Sequence, residues 1–446
     1  MTNLVNNLPL MRGCVNRGYA RCVIESVRRA ACPGGAMVRE QWQRNLIGVV
    51  IAAFVSILGF NLVFPFLPLY IQSLGSYTAG EAAFWMGMIS LWTGVLGAVA
   101  ALVWGQLADR HGRRPMLIRA TAGAAMGLAV MGLAGNLVHL FVGRLLFSAL
   151  AGTVPAANPL IAAHTPPHHL GTAMGALQSS VFLSNTLGPL IGGGLAAAVG
   201  YRASFMLTAG LYLASALPVV VLVRERFTRP EVTRGLVEAV CQDVAATWRE
   251  RQIRFPILAA LLALCGANVS TPVISLLVGD LTGAEHTEAL AGLAFFAMGL
   301  ASAVAALLVG RVVDRGHRRL LSVTAPASVL IYLGLWAAPG YPVLVALLGL
   351  LGAVQGMQVP ALNALIASRA PRDRVGAIFG VVSSVNSIAF SGGPFLGGTL
   401  ARAFGLRAVF PVAALLLLVM VVVNGKATEA PAPTPARHRE GLARER

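Results

Sequence analysis

The 446-residue chain is 57% hydrophobic and only 11% charged, with a mean hydropathy of +0.74. That balance excludes an ordinary soluble domain, which keeps far more polar surface, and makes the bilayer the solvent for most of the chain. The net charge of +17 comes almost wholly from arginine, Lys426 being the one lysine, and the placement of those arginines speaks for membrane topology rather than nucleic acid.

Residues 1–36 carry five arginines, one glutamate and no apolar run long enough to span. They lack a signal-peptide core and cleavage site. Met37 opens MVREQWQRNLIGVV, a short basic lead into the first span, so translation is expected to begin there; the alternative is a disordered basic arm at the anionic leaflet. Residues 1–45 are thus read as a cytoplasmic arm.

Continuous Leu-, Ala- and Val-rich runs follow, each near the ~20 residues that cross a ~30 Å hydrocarbon core. They predict spans at 46–71, 82–104, 116–134, 138–161, 171–199 and 203–223, then 256–280, 288–310, 320–338, 342–367, 375–401 and 406–424. The runs do not alternate, so helices rather than a barrel satisfy the backbone. The 224–255 linker mixes acids with arginines and is expected to lie as an amphipathic surface helix. The tail, 425–446, is rich in Pro, Ala and Arg and reads as disordered.

Arginines crowd the arm, the 110–119 turn, the linker, the 311–319 and 369–374 turns and the tail, whereas every second connection holds few or none. That is the positive-inside pattern, and it puts both termini and the linker in the cytoplasm. Three of the five cysteines fall in the first 32 residues and no paired framework emerges. Cys265 and Cys241 read as inert thiols.

The chain repeats itself 205 residues on. GPLIGG at 188–193 returns as GPFLGG at 393–398, GYRASF at 200–205 as GLRAVF at 405–410, and LADRHGRRPML at 107–117 as VVDRGHRRLL at 312–321. Pro155, Asn158 and Pro166 recur as Pro360, Asn363 and Pro371. Two homologous six-span halves, 46–223 and 256–424, are expected to face one another with a binding site on the seam between them.

GQLADRHGRRPML at 105–117 resembles the loop 2–3 signature of the major facilitator superfamily, through Gly105, Leu107, Asp109, Arg110, Gly112, Arg113, Arg114 and Leu117. GPLIGG in the fifth span is similar to the antiporter signature of that superfamily's drug-export branch. FVGRLLFSALAG resembles the same branch around Arg144, and NLVFPFLPLYIQSLG looks like the first helix of bacterial twelve-helix drug:proton antiporters. The resemblance covers about residues 41–424. It implies an all-α membrane protein of twelve transmembrane helices, arranged as two six-helix bundles about a pseudo-two-fold axis along the membrane normal. It also implies a bacterial inner-membrane location and proton-coupled export of small amphipathic molecules by alternating access.

By the same resemblance, Asp109 would meet the positive N-terminal end of the eleventh span near Val375, a charge–dipole contact worth ~0.3–1 kcal/mol when exposed. It would latch the cytoplasmic side, with Arg110, Arg113 and Arg114 around it and Asp314 as a weaker twin. In the antiporter-motif helices, Gly188, Pro189 and Gly192 recur as Gly393, Pro394 and Gly397; glycine permits close helix approach in lipid and proline bends the helix. A further signature glycine, four residues before Gly188, is replaced by Ser184.

Many drug:proton antiporters hold a carboxylate within the membrane, and none falls near a predicted midplane here: Glu81, Asp280, Glu285 and Glu288 lie at external ends, and Asp109, Asp314 and Asp373 at cytoplasmic ends. Asp109 or Asp280 could carry the proton, or an acidic substrate could bring its own. Arg144 is the ionisable side chain placed inside a span, at ~2.5–3.5 kcal/mol on insertion scales. It is a coupling candidate, or an attractor of anionic substrate, against a plain structural role.

Polar and aromatic side chains interrupt the apolar runs at mid-depth and form the candidate substrate-binding set: Asn61, Phe64, Trp92, Gln178, Asn185, Asn268, Phe295, Gln355, Gln358 and Asn386. Amides and aromatic faces suit amphipathic molecules, although packing or helix-to-helix hydrogen bonds compete for each. No G-x-x-x-x-G-K-[ST] run, nucleophile–base pair or metal-spaced cluster stands out, so neither an enzyme nor a cofactor is expected. HTPPHH at 164–169 reads as fortuitous histidines in a turn. The expected partners are a small-molecule substrate, protons and lipid, with the chain acting as a monomer. Transport of a defined metabolite or organic anion remains an alternative, as does a non-transporting receptor on the same fold.

Overall fold

In the computed structural model the described residues are 33–152, 165–166, 169–225, 250–283, 286–309, 313–370 and 375–429, with 157, 160, 161 and 248 as isolated positions. Most of the arm, the bulk of the linker, the end of the tail and half of the HTPPHH turn fall outside them. Helices in chain order are α1 (Pro33–Val63), a 3-10 turn (Phe64–Phe66), α2 (Leu67–Ser73), α3 (Ala79–His111), α4 (Arg113–Gly132), α5 (Leu137–Leu150), α6 (Leu170–Leu222), α7 (Arg251–Val269), α8 (Thr271–Thr282), α9 (Thr287–Val309), α10 (Val313–Trp336), α11 (Tyr341–Arg369), α12 (Val375–Phe404) and α13 (Val409–Glu429).

Among the described residues, ten helices are long and apolar enough to cross a membrane. One of them, α6, is two spans joined at Gly200, whose φ of 77° breaks the helix. The shorter apolar α5 is part of a further span. Twelve crossings result: α1–α2 is span 1, α3 span 2, α4 span 3, and α5 belongs to span 4. The two parts of α6 are spans 5 and 6, α7–α8 is span 7, and α9 to α13 are spans 8 to 12.

Local chemistry sets the ends. Thr78 and Glu81 form a reciprocal capping box at the start of span 2, and Asn136 accepts from the His139 amide to cap span 4. The helices also run past or stop short of the expected spans. The helix of span 1 begins at Pro33 and that of span 12 runs to Glu429, into segments expected to be arm and tail, while the apolar stretches themselves are Gln41–Ser73 and Leu406–Val423. Span 7 is interrupted at Ser270, just before Pro272. The regular part of span 4 ends at Leu150: Ala151 is extended with ψ 176° and Gly152 takes φ 143°. Its freed carbonyls are taken by neighbours, Trp104 Nε1 donating to Ala149 (2.7 Å) and Arg119 to Leu150 (3.0 Å).

The connections alternate between two ends of the molecule. One, here the basic end, holds Arg113, Arg114, Arg224, Arg254 and Arg369; the opposite end holds the turns at 74–78, 133–136, 200, 337–340 and 405, with Gly283 and His286.

The halves repeat their packing. A side chain on Gly188 or Gly192 would overlap Asn61 or the Leu62 carbonyl of span 1; on Gly393 or Gly397 it would overlap Asn268 or the Val269 carbonyl of span 7. Between halves, span 2 packs on span 11 and span 5 on span 8. Exchanging the halves turns one seam into the other, the signature of a two-fold relation.

Candidate functional site

Both seams are built on glycine at the end opposite the basic one. A Cβ on Gly87 of span 2 would lie 2.6 Å from the Pro394 carbonyl, and one on Gly292 of span 8 would lie 2.6 Å from the Pro189 carbonyl. Gly193 and Gly398 meet the Glu288 and Ala83 carbonyls in return. The glycine-rich helices are therefore pressed on two flanks, by span 1 or 7 of their own half and by span 8 or 2 of the other. Missing Cβ atoms let backbones approach this closely. Ser184, standing where the signature has glycine, is fully buried and donates to the Phe54 carbonyl of span 1 (2.9 Å).

Toward the basic end the seams part. Ala98 and Ala101 continue the face of span 2 that carries Gly87 and Gly94, yet both are exposed; so are Gly380, Ser384 and Ser387 on the facing side of span 11. On the other seam Gly175, Ser179 and Phe182 are exposed along the face of span 5 that meets span 8 further up, and nothing lies within 4 Å of a Cβ placed on Gly175 or Gly380. The result is a cleft, closed at one end and open at the basic end.

The candidate residues separate by where their helices turn them. Asn61 donates to Asn185 Oδ1 (2.8 Å) and to the Ile57 carbonyl (2.9 Å), which joins spans 1 and 5 beside the cleft. Gln178 and Asn185 are exposed on the cleft side of span 5. Asn268 bonds its own helix at Leu264 (2.8 Å), while Phe295 and Asn386 are half-buried.

Three residues depart from the expected placement. Trp92 is exposed on a stripe with Val95, Val99 and Val103, on the side of span 2 turned away from span 11. Gln358 is buried and donates to the Thr324 carbonyl (3.0 Å) and Ser328 Oγ (2.8 Å), locking spans 9 and 10. Phe64 turns into its own bundle. The sequence reading missed Phe182 and Phe390, which are exposed on the cleft side of spans 5 and 11. Being apolar in apolar helices, they gave no signal; only Phe390's helical register with Ser383 and Ser387 could have found it.

Arg144 lies inside the N-terminal half, not in the cleft. It is almost wholly buried, with its guanidinium carbon 4.7 Å from the Phe64 ring centroid, 5.1 Å from Phe147 and 5.4 Å from Phe60. Its Nε has no hydrogen-bond partner among the described residues. A small apolar cavity lined by Leu128, Met131 and Phe205 as well adjoins it. The aromatic faces are the compensation for burying the cation.

At the basic end the 111–114 turn is fixed by the last turn of span 6 and the start of the linker. Glu225 Oε1 accepts from the Arg113 amide (2.9 Å) and Oε2 from the Arg114 amide (2.7 Å), which caps span 3, while the Arg114 guanidinium donates to the Val220 carbonyl (2.7 Å). Gly112 turns the chain there with φ 94°. Glu225 was not anticipated: an acid inside an arginine-rich linker reads as charge balance until the fold folds it back. The side chains of Asp109, Arg110 and Asp314 lie outside the described residues; the backbones of Gly105 and Asp109 are in the closing turns of span 2, at the parted end of its seam.

A sequence model described as the Major Facilitator Superfamily matches residues 49–268 and 256–445. The chain is 33% identical over 387 residues to multidrug resistance protein MdtG of Enterobacter lignolyticus, covering 86% of this chain and 92% of the relative. It is 32% identical over 385 residues to MdtG of Serratia proteamaculans, covering 86% and 93%. Among solved structures, a bacterial homologue of the human lysosomal transporter Spinster, in an inward-facing and occupied conformation, superposes with a TM-score of 0.74 at 15% identity, over 88% of this chain and 98% of that one. The human organic anion transporter MFSD10 does so with 0.64 at 19%, over 86% and 99%. With its two-fold related halves and paired seams, the chain belongs to the Major Facilitator Superfamily.

Proposed function

We propose that this protein exports small amphipathic, drug-like molecules across a bacterial inner membrane by alternating access, in exchange for protons. The observation that carries the reading is a third of all positions shared with MdtG multidrug resistance proteins over nearly their whole length. The cleft supports it: the amides of Asn61, Asn185 and Gln178 share the span 1–5 side with the exposed ring of Phe182, and Phe390 is exposed on span 11. Such a surface binds by shape and apolar area with few fixed polar demands.

The arginine distribution supports a cytoplasmic basic end, both termini on that side, and hence a cleft open to the cytoplasm. In this reading the bundles 46–223 and 256–424 rock on the two seams as a monomer, and the 224–255 linker joins them. Asp109 and its arginines latch the cytoplasmic side when it closes. Binding at the open end, closure there and parting at the other end would carry a molecule outward.

The test is transport by purified protein in liposomes. With a pH gradient imposed, ethidium should move against its concentration gradient, and collapsing the gradient should stop it. Movement indifferent to the gradient would remove proton coupling. A panel of drugs in an efflux-deficient host that shows no gain in tolerance would remove the drug-export reading itself.

A further inference from the structure

We propose that the end opposite the basic one is held shut by two side-chain clasps, one on each seam: Tyr201 to Glu288 across the span 5–8 seam, and Arg402 to Phe84 across the span 2–11 seam. The proposal rests on the alternating-access reading and names the side chains that set its balance.

The first clasp is a hydrogen bond between halves. The Tyr201 hydroxyl donates to Glu288 Oε1 at 2.5 Å. Tyr201 follows the Gly200 turn and is positioned by its own half. Its ring lies 5.5 Å from that of Tyr70, whose hydroxyl donates to the Met131 carbonyl (3.0 Å), and the neighbouring Arg202 donates to the Ala134 carbonyl (3.1 Å). Glu288 sits in the first turn of span 8, where its backbone carbonyl meets Gly193 of span 5. Post and acceptor are therefore fixed separately, and parting the halves must break the bond.

The second clasp is a cation against an aromatic face. The Arg402 guanidinium carbon is 4.7 Å from the Phe84 centroid, and a Cβ placed on Gly80 of span 2 would lie 3.2 Å from the Arg402 Cα. The clasps are not repeats of one another, since 402 corresponds to 197 in the other half. Each seam therefore carries its own lock over the shared glycine packing.

The glycine contacts are backbone against backbone, and their number is set by the fold. The clasps are side-chain contacts, removable singly. Losing the Tyr201 hydroxyl forfeits a hydrogen bond to a carboxylate and should move the balance roughly tenfold toward the form open at this end.

Hydrogen–deuterium exchange on protein in liposomes tests this, comparing wild type, Tyr201→Phe, Arg402→Ala and the double variant. Tyr201→Phe keeps the ring on Tyr70 and removes one atom. Wedge variants Gly87→Trp and Gly292→Trp, which force the seams apart by bulk, serve as reference. The expected result is faster exchange at 79–87 and 287–293 together with slower exchange at 98–104 and 378–384, the two changes multiplying to roughly tenfold for Tyr201→Phe, to a few-fold for Arg402→Ala, and to more in the double. This reciprocal change distinguishes gating from loosening, which would speed exchange at both ends or at one alone. If the wedges shift both ends reciprocally and the clasp variants match wild type or only loosen, the clasps are overturned and alternating access stands. If the wedges themselves produce no reciprocal change, alternating access falls and the clasps fall with it.

Discussion

Removing the Glu225 carboxylate should free the start of span 3 while leaving its middle intact. The first amides of a helix have no partner within the helix, and Gly112, the residue before it, supplies no side chain to cap them. Glu225 fills that role from the start of the linker, at 2.9 and 2.7 Å to the amides of Arg113 and Arg114. Two charge-assisted bonds in a half-buried setting, plus a negative charge at a helix N-terminus, should together be worth about 2 kcal/mol. Glu225→Ala should then speed amide exchange at 113 and 114 by about 30-fold, and Glu225→Gln, which keeps one acceptor oxygen, by several-fold less. Residue-resolved exchange in liposomes reads this directly, with the amides of Ala124–Leu128 as an internal reference. Unchanged exchange at 113 and 114 in the alanine variant would refute the cap; an equal rise at 124–128 would show general unfolding and refute the local account.

Glycines on the seam helices should divide by surroundings rather than by motif membership: Gly192→Ala, whose methyl meets the Leu62 carbonyl, should abolish transport or lower thermal stability in detergent, whereas Gly194→Ala, with nothing within 4 Å, should behave as wild type. Asn185→Leu should alter the spectrum of drugs tolerated by an efflux-deficient host and Trp92→Ala should leave it unchanged, because Asn185 borders the cleft and Trp92 faces outward. Arg144→Met keeps length and loses the charge inside the ring of Phe60, Phe64 and Phe147; it should retain the folded elution profile but lose pH-driven ethidium transport, and full transport in that variant would make the arginine purely structural.

The architecture was readable because membrane solvent leaves a strong imprint on composition. Apolar runs located the spans, and a duplicated GP-x-x-GG located the helices pressed from two sides, since only glycine suits contacts such as Gly192 on Leu62. What the sequence hid was direction. An amide at mid-depth can face the cleft, as Asn185 does, or bind a neighbouring helix of its own half, as Gln358 does, and both look alike in an apolar run. Breaks were equally opaque: the end of α5 at Leu150 depends on Trp104 and Arg119 arriving from two other spans to take its carbonyls. Arg144 was visible as an intramembrane charge, but its aromatic surroundings come from spans 1 and 4 together and no single segment announces them.

The parted faces have one further consequence. Ala98, Ala101, Gly175 and Gly380 possess no rotamers to freeze, and burying such residues carries essentially no side-chain entropy cost. Ser384 and Ser387 already donate to the Gly380 and Ser383 carbonyls of their own helix, at 3.2 and 3.1 Å, so neither hydroxyl must find a new acceptor when the faces meet. Contact at this end can be made and unmade without torsional re-sorting, which leaves displaced water and lipid as the chief resistance to each stroke.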